Sequence, residues 1–258
     1  ACFKRSRVLL VGYGDVASRL KQQLPAHIKV LAVSRLADTV QAMRAQGVIP
    51  IVADLDHAPS LRRLGALAGR IVHLAPPAAQ GRTDMRTSNL IRSLQRHADS
   101  YQHRLVYGST SGVYGNRQGQ WIDETTTVNP TTDRAHRRVH AERQLRVWGK
   151  RGAQISILRI PGIYALDRVG GSPKERLLRG TPSLMDAQDS YSNHIHADDL
   201  ARACKLALWR AKPQRIYHCN DDSSWKMGEY FACAARIMQL PAPARISWEE
   251  AQSRLPAT

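Results

Sequence analysis

The stretch Val8-Leu9-Leu10-Val11-Gly12-Tyr13-Gly14-Asp15-Val16-Ala17 decides how this chain is read. Four apolar residues make a short strand of the kind buried on both faces, two glycines turn it, and a segment of helical spacing follows. The result is G-x-G-x-x-A between a strand and a helix, the context in which this spacing holds a dinucleotide. Each residue type has a physical task there. Gly12 permits the tight turn, Gly14 lets the backbone approach a pyrophosphate, and Ala17 leaves room for the helix against the strand. The helix N-terminus at Asp15 and Val16 then faces the phosphates.

Outward from this turn the same rhythm repeats. Runs rich in Val, Ile and Leu near 7–12, 28–34, 48–52, 70–75, 103–109 and 154–160 read as strands. Helical spacing falls near 15–24, 38–46, 58–67, 83–98 and 133–150, the second helix opened by a cap at Ala37-Asp38 and the last following Pro130 and Thr131. This alternation predicts an α/β fold, a doubly wound parallel sheet with helices on both faces. After Pro161-Gly162 the rhythm breaks at Gly170-Gly171-Ser172-Pro173 and Gly180-Thr181-Pro182, and a helix near 198–210, a strand near 215–219 and a helix near 227–238 follow. Residues 1–160 are therefore expected to form the dinucleotide-binding domain, and 161–258 a smaller lobe that does not fold independently.

Composition narrows the partners. With 43% hydrophobic and 23% charged residues over 258 positions the chain is globular rather than disordered. No apolar run approaches the roughly 18 residues of a membrane span. Cysteines at 2, 204, 219 and 233 form no C-x-x-C pair, which suits a reducing compartment, and a cytoplasmic location is expected. The net charge of +17 raises the idea of a nucleic-acid binder. The densest basic tract holds Arg134, Arg137, Arg138, Arg143, Arg146, Lys150 and Arg151, but the rest of the excess is dispersed and no series of aromatics accompanies it. Nucleic acid and membrane are therefore not the expected partners; a small anionic substrate is.

The second strand ends Ala32-Val33-Ser34-Arg35, without the acid that holds an NAD ribose. A guanidinium there suits a 2′-phosphate, so NADP(H) is expected ahead of NAD(H), and Asp38 reads as a helix cap rather than a ribose ligand.

Further segments carry a family likeness: Val52-Ala53-Asp54-Leu55, Ile71-Val72-His73-Leu74-Ala75 with Pro76, Leu105-Val106-Tyr107-Gly108-Ser109-Thr110-Ser111-Gly112-Val113-Tyr114-Gly115, Leu158-Arg159-Ile160-Pro161-Gly162-Ile163-Tyr164 and His194-Ile195-His196-Ala197-Asp198-Asp199-Leu200. In this order, after the glycine turn and over most of the chain, they resemble the extended and atypical short-chain dehydrogenase/reductases, the NAD-dependent epimerase/dehydratase superfamily. The resemblance implies a Rossmann-type fold and a small C-terminal substrate lobe. It implies that Asp54 and Leu55 meet the adenine, that Leu74, Ala75 and Pro76 lie under the cofactor, that Pro161 touches it, and that Thr110 binds substrate.

The departures from the family pattern bear on chemistry. Family enzymes carry Tyr-x-x-x-Lys on the helix after the fifth strand; aligning Ala141-Glu142 puts Arg134 at the tyrosine and Arg138 at the lysine. Arginine stays protonated near neutral pH and cannot serve as general base. Arg138 would keep a fixed charge beside the ribose; the alternative is an ordinary salt-bridged helix face of Arg138, Glu142 and Arg146. Tyr114 is the first substitute for the missing tyrosine, with His136 and His140 behind it. Ser111-Gly112 stands where dehydratases carry Asp-Glu, and Gly162 where an asparagine is frequent.

His194, His196, Asp198 and Asp199 read as a strand end with Asp198 capping a helix, not as a metal site, and no metal is expected; His73 reads as a buried, hydrogen-bonded histidine. The family's helix pair mediates dimers, so a homodimer is one expectation, which the arginine-rich face opposes. The functional expectation is an oxidoreductase or epimerase acting on a sugar nucleotide or similar anionic compound, with Thr110, Tyr114 and Arg138 at its centre. The alternative is a non-catalytic NADP-binding redox sensor.

Overall fold

The computed structural model describes residues 6–35, 37–97 and 102–254, and only the backbone at 37 and 38. In chain order the elements are β1 (Arg7–Val11), α1 (Asp15–Gln23), β2 (Lys29–Ser34), α2 (Ala37–Ala45), β3 (Ile49–Val52), β4 (Arg70–His73), α3 (Met85–Gln95), β5 (Arg104–Thr110), α4 (Asp133–Lys150), β6 (Gln154–Ile160), β7 (Gly162–Tyr164), α5 (Lys174–Leu178), β8 (Ser183–Leu184), β9 (His194–His196), α6 (Ala197–Arg210), β10 (Arg215–His218), α7 (Met227–Ile237), β11 (Arg245–Ile246) and α8 (Trp248–Arg254). The side chain of the cap expected at Asp38 lies outside the described residues.

These residues form two units. The first runs through residue 115 and takes in 122–160 and 197–219; the second holds 116–121, 161–196 and the residues from 220 onward. This differs from a single cut after residue 160. The reason lies in α6 and β10: β10 pairs with β6 in parallel register, and α6 is tied to α1. Arg19 meets Asp198 at 2.8 Å, Gln23 donates to the Asp198 carbonyl, and Lys205 Nζ donates to the Gln23 carbonyl at 2.8 Å. Asp198 is thus inside the first turn of α6 and pairs with another helix, rather than standing ahead of α6 as its cap.

The first unit carries a seven-stranded, wholly parallel sheet in the order β10-β6-β5-β4-β1-β2-β3. The apolar strands are buried because helices cover both faces; Val8, Leu9, Leu10 and Val11 have no exposed surface. Pro50, which lacks an N–H, sits in β3 at the sheet's edge, where a missing donor is tolerated. The strand order reverses between β1 and β4, and in open α/β sheets ligands bind beyond the strand ends at such a reversal.

The helix expected near 58–67 is instead two short 3₁₀ turns, at 58–61 and 64–66. Pro59 removes a donor there, and Gly65 is pressed against its neighbours: a Cβ on it would lie 3.0 Å from the His97 ring and 3.1 Å from the Leu94 backbone. The second unit has two small parallel pairs, β7 with β9 and β8 with β11, and a core of Leu177, Phe231, Ala234 and Ala235. Its buried Asp189 carboxylate accepts from the Gly228 N–H at 2.7 Å and from Arg245 at 3.3 Å.

Candidate functional site

At the reversal, the loops after β1 and β4 are joined through one carbonyl. Leu74 and Ala75 both donate their N–H to the Val11 oxygen at 2.9 Å. Gly12 adopts φ +93°, and a Cβ there would stand 2.5 Å from the Ala75 nitrogen, so both conformation and space require glycine. Gly14 differs. It caps α1 at φ −103°, makes no side-chain cap, and a Cβ on it would meet no protein atom within 4 Å. Gly14 thus gives the N-terminus of α1 no side-chain cap, and the direction its own Cβ would take is clear of protein atoms, which fits the close approach of a pyrophosphate. Asp15 in that turn pairs with Arg19 at 2.9 Å, which compensates its charge, and Val16 and Ala17 pack into the core.

Beside this turn lie the ends of β2 and β3. The Ser34 hydroxyl pairs with that of Thr39, and Arg35 is exposed, its Nη1 no closer than 3.9 Å to the Asp56 carboxylate. Asp54 folds its own turn, one carboxylate oxygen accepting from the Asp56 N–H at 2.9 Å. Leu55 is buried and its carbonyl is held by Asn89 at 2.9 Å. Arg86, in the first turn of α3, grips Asp56 with two hydrogen bonds and donates to the carbonyls of Pro76 and Pro77 at 3.1 and 3.3 Å. The residues assigned to the cofactor from Gly12 through Pro76 are thereby gathered at one end of the sheet. Pro161 is the first residue of the second unit's 161–196 segment.

The end of β5 carries the second cluster. The Thr110 hydroxyl accepts from the Gly112 N–H at 3.2 Å and is partly exposed. Tyr114, one 3₁₀ turn on, is buried. Its oxygen lies 2.6 Å from Arg159 Nη1, 2.6 Å from His218 Nε2 and 3.0 Å from the Asp123 carbonyl. One assignment satisfies all three: the phenol accepts from Arg159 and from His218 Nε2–H and donates to Asp123. Burial pushes the Tyr114 phenol above its ordinary value, more than the Arg159 hydrogen bond and charge lower it. Burial likewise lowers the His218 imidazole, with Arg159 adding to the effect and Glu124 opposing it.

Behind Tyr114, Arg159 and Glu142 form a buried two-pronged ion pair at 3.2 and 2.7 Å, and Ser109 donates to the same carboxylate at 2.5 Å. Glu142 is therefore committed to β6 and β5, not to Arg138 and Arg146 on its own helix, and the salt-bridged helix face expected as the alternative does not form. Arg138 is buried too. Its Nη1 donates to the Gly108 carbonyl at 2.8 Å and the Tyr107 hydroxyl at 3.0 Å, and its guanidinium lies over the Tyr107 ring. Arg134, expected from the sequence to stand at the family's tyrosine, is exposed. His140 accepts from the Asp84 N–H, capping the turn before α3.

His73 is buried and hydrogen-bonded to Thr87 at 2.9 Å. In the second unit the His194 ring fills the space beside Gly162, where a Cβ would come within 2.9 Å of it, and stacks on Tyr230 at 4.2 Å. A side chain at 162 would have to displace that ring. Sequence reasoning missed Arg159, Glu142, His218, Arg86 and Asp56 as site residues. One signal was present: Arg159 interrupts the apolar run of β6, and a charge there requires a buried counter-charge.

The sequence profile of the NAD dependent epimerase/dehydratase family matches residues 8–219. Among solved structures, a functionally unknown conserved protein from Silicibacter pomeroyi is 26% identical, with a TM-score of 0.78 over 97% of this chain and 84% of its own. A UDP-glucose 4-epimerase of Thermus thermophilus, in complex with NAD, is 21% identical, with a TM-score of 0.73 over 93% of this chain and 85% of its own. A dTDP-glucose 4,6-dehydratase of Bacillus anthracis, also in complex with NAD, is 14% identical, with a TM-score of 0.76 over 96% and 89%. The latter two likenesses speak to fold alone. No curated protein matches the chain at a significant level.

Proposed function

Because the chain belongs to the NAD dependent epimerase/dehydratase family, we propose that it binds NADP(H) at Gly12–Ala17 and Arg35 and acts as an oxidoreductase or epimerase on a sugar nucleotide or similarly anionic carbonyl or hydroxyl compound. The observation that carries this reading is the clear space along the Cβ direction of Gly14, which caps α1 without a side chain. Arg35 beyond β2 supplies the preference for a 2′-phosphate. When bound, the nicotinamide would supply the hydride donor or acceptor. Among the chain's own groups, the Thr110 hydroxyl would orient a substrate oxygen. Arg138 holds a permanent positive charge at the end of β5, and neither it nor Arg134 accepts a proton near neutral pH. Burial raises the Tyr114 phenol, which disfavours it as a general base. The solved neighbours named for UDP-glucose and dTDP-glucose supply the substrate class, and the +17 net charge favours an anionic one.

Tryptophan-fluorescence titration with NADPH, NADH and their oxidised forms, on the wild type and Arg35→Ala, tests the cofactor. Tighter binding of the phosphorylated forms, lost in Arg35→Ala, is expected; equal affinity for all four removes the 2′-phosphate argument. For activity, a panel of sugar nucleotides is followed by NADPH absorbance for net redox change and by NMR for epimerisation. Silence across the panel with cofactor bound counts against an enzyme.

That result would favour a second reading, a non-catalytic NADP(H)-binding regulator, which rests on one observation: the side chain at the lysine position is bound into β5 and the one at the tyrosine position is an exposed arginine. It requires a partner whose affinity depends on the cofactor, and pull-downs indifferent to NADPH would remove it.

A further inference from the structure

Asp56 places a carboxylate beside the arginine assigned to the 2′-phosphate. An unpaired carboxylate at that distance would both compete for the Arg35 guanidinium and repel the phosphate. The structure shows a second arginine taking it. Arg86 Nε meets Asp56 Oδ1 at 2.8 Å and Nη2 meets Oδ2 at 2.6 Å, the fork geometry in which guanidinium binds carboxylate best. The Pro76 and Pro77 carbonyls hold Arg86 from its remaining nitrogen, and its side chain is 16% exposed. Arg35 is 57% exposed and lies 3.9 Å from the same carboxylate, at the outer limit of an ion pair. The hydrogen bonds from Arg86 hold the Asp56 carboxyl below the usual carboxylate range, so its charge persists at neutral pH and has to be balanced rather than protonated away.

We infer that Arg86 is a specificity-determining residue: by occupying both oxygens of Asp56 it leaves Arg35 free for the cofactor's 2′-phosphate. The inference rests on the NADP(H) reading above. Arg86 acts through Asp56, so it is a positioning residue, and its removal changes the discrimination between phosphorylated and unphosphorylated adenosine more than the grip on adenosine itself.

The experiment is calorimetric titration of the full chain with two probes, adenosine 2′,5′-bisphosphate and adenosine 5′-monophosphate. The wild type is expected to prefer the bisphosphate. Arg86→Met lowers that preference about three- to tenfold while affinity for the monophosphate stays the same. Asp56→Asn keeps or raises the preference, and the double variant returns to at least the wild-type value, since the charge that Arg86 balances is gone. Undiminished preference in a folded Arg86→Met overturns the inference and leaves the NADP(H) reading standing. A double variant as poor as Arg86→Met also overturns it, because Arg86 would then be touching phosphate directly. Should Arg86→Met fail to fold, Asp56→Asn decides alone: a lowered preference there sinks the inference. A wild type without preference removes the NADP(H) reading and this inference together.

Discussion

Arg138 donates to the Gly108 carbonyl at 2.8 Å, so the side chain expected from the sequence at the family's lysine position is committed to the backbone of β5. The same nitrogen holds the Tyr107 hydroxyl, whose phenol burial pushes up to about 12. Arg138→Met leaves a buried carbonyl and a buried hydroxyl without their charged partner and is expected to cost about 2–4 kcal/mol in urea unfolding. Arg138→Lys recovers only part, since an ammonium can donate to both oxygens but does not reproduce the flat guanidinium over the Tyr107 ring. Unfolding of Arg138→Met within experimental error of the wild type would show that the contact has no energetic weight.

Tyr114→Phe separates a structural from a catalytic phenol. Removing the oxygen strands Arg159, His218 and the Asp123 carbonyl, and a loss of about 1–3 kcal/mol in stability is expected. On any substrate that the wild type turns over, kcat per folded molecule and its pH profile should stay unchanged. A kcat reduced by two or more orders of magnitude in a folded variant would make this phenol a proton-transfer group after all.

Local signals were legible in the sequence, and long-range ones were not. The apolar run Val8–Val11, the two glycines and the helical spacing beyond them all lie within ten residues, and the turn forms as read. The two 3₁₀ turns at 58–66 escaped because the decisive contact, Gly65 against Leu94 and His97, lies some thirty residues away. The return of α6 and β10 to the first unit goes with contacts far apart in sequence, such as β10 against β6 and Arg19 meeting Asp198 across 179 residues, which no window of periodicity can detect. Glu142–Arg159 and Arg86–Asp56 escaped for the same reason: each residue was visible, but the partner that gives it meaning was not.

Acid should destabilise the protein through His73. Burial pushes its imidazole down to about 4, with Asp84 opposing the shift and Arg138 adding to it. In the unfolded chain a histidine titrates near 6.5. Above that pH neither state binds the proton, and the stabilisation of the neutral ring is fully present. As pH falls from about 6.5 to 4, the unfolded chain takes up a proton that the folded one refuses, costing about 1.4 kcal/mol per pH unit. Below about 4 both states are protonated and this loss stops growing. His103, His194 and His218 shift in the same direction and steepen the slope. Urea unfolding across this range should give a shallower profile for His73→Gln than for the wild type; parallel profiles would place the acid sensitivity elsewhere.

The two glycines of the turn make a last prediction, because the structure gives them opposite surroundings. Gly12 serves the protein. At φ +93° with a Cβ 2.5 Å from the Ala75 nitrogen, Gly12→Ala forces both a strained backbone and a clash with the loop after β4, and a loss of about 2–4 kcal/mol is expected. Gly14 is under neither constraint. Its backbone conformation is open to alanine and its Cβ direction is empty of protein atoms, so Gly14→Ala loses no more than the modest disadvantage of alanine at a helix cap, about 1 kcal/mol or a few degrees in Tm. The added methyl would occupy space read here as the pyrophosphate's, and NADPH affinity should fall by about tenfold or more. Thermal unfolding and NADPH titration of both variants form one test. If Gly14→Ala binds NADPH as tightly as the wild type, the space above α1 is not where the cofactor's phosphates lie, and the assignment of the cofactor site falls with it.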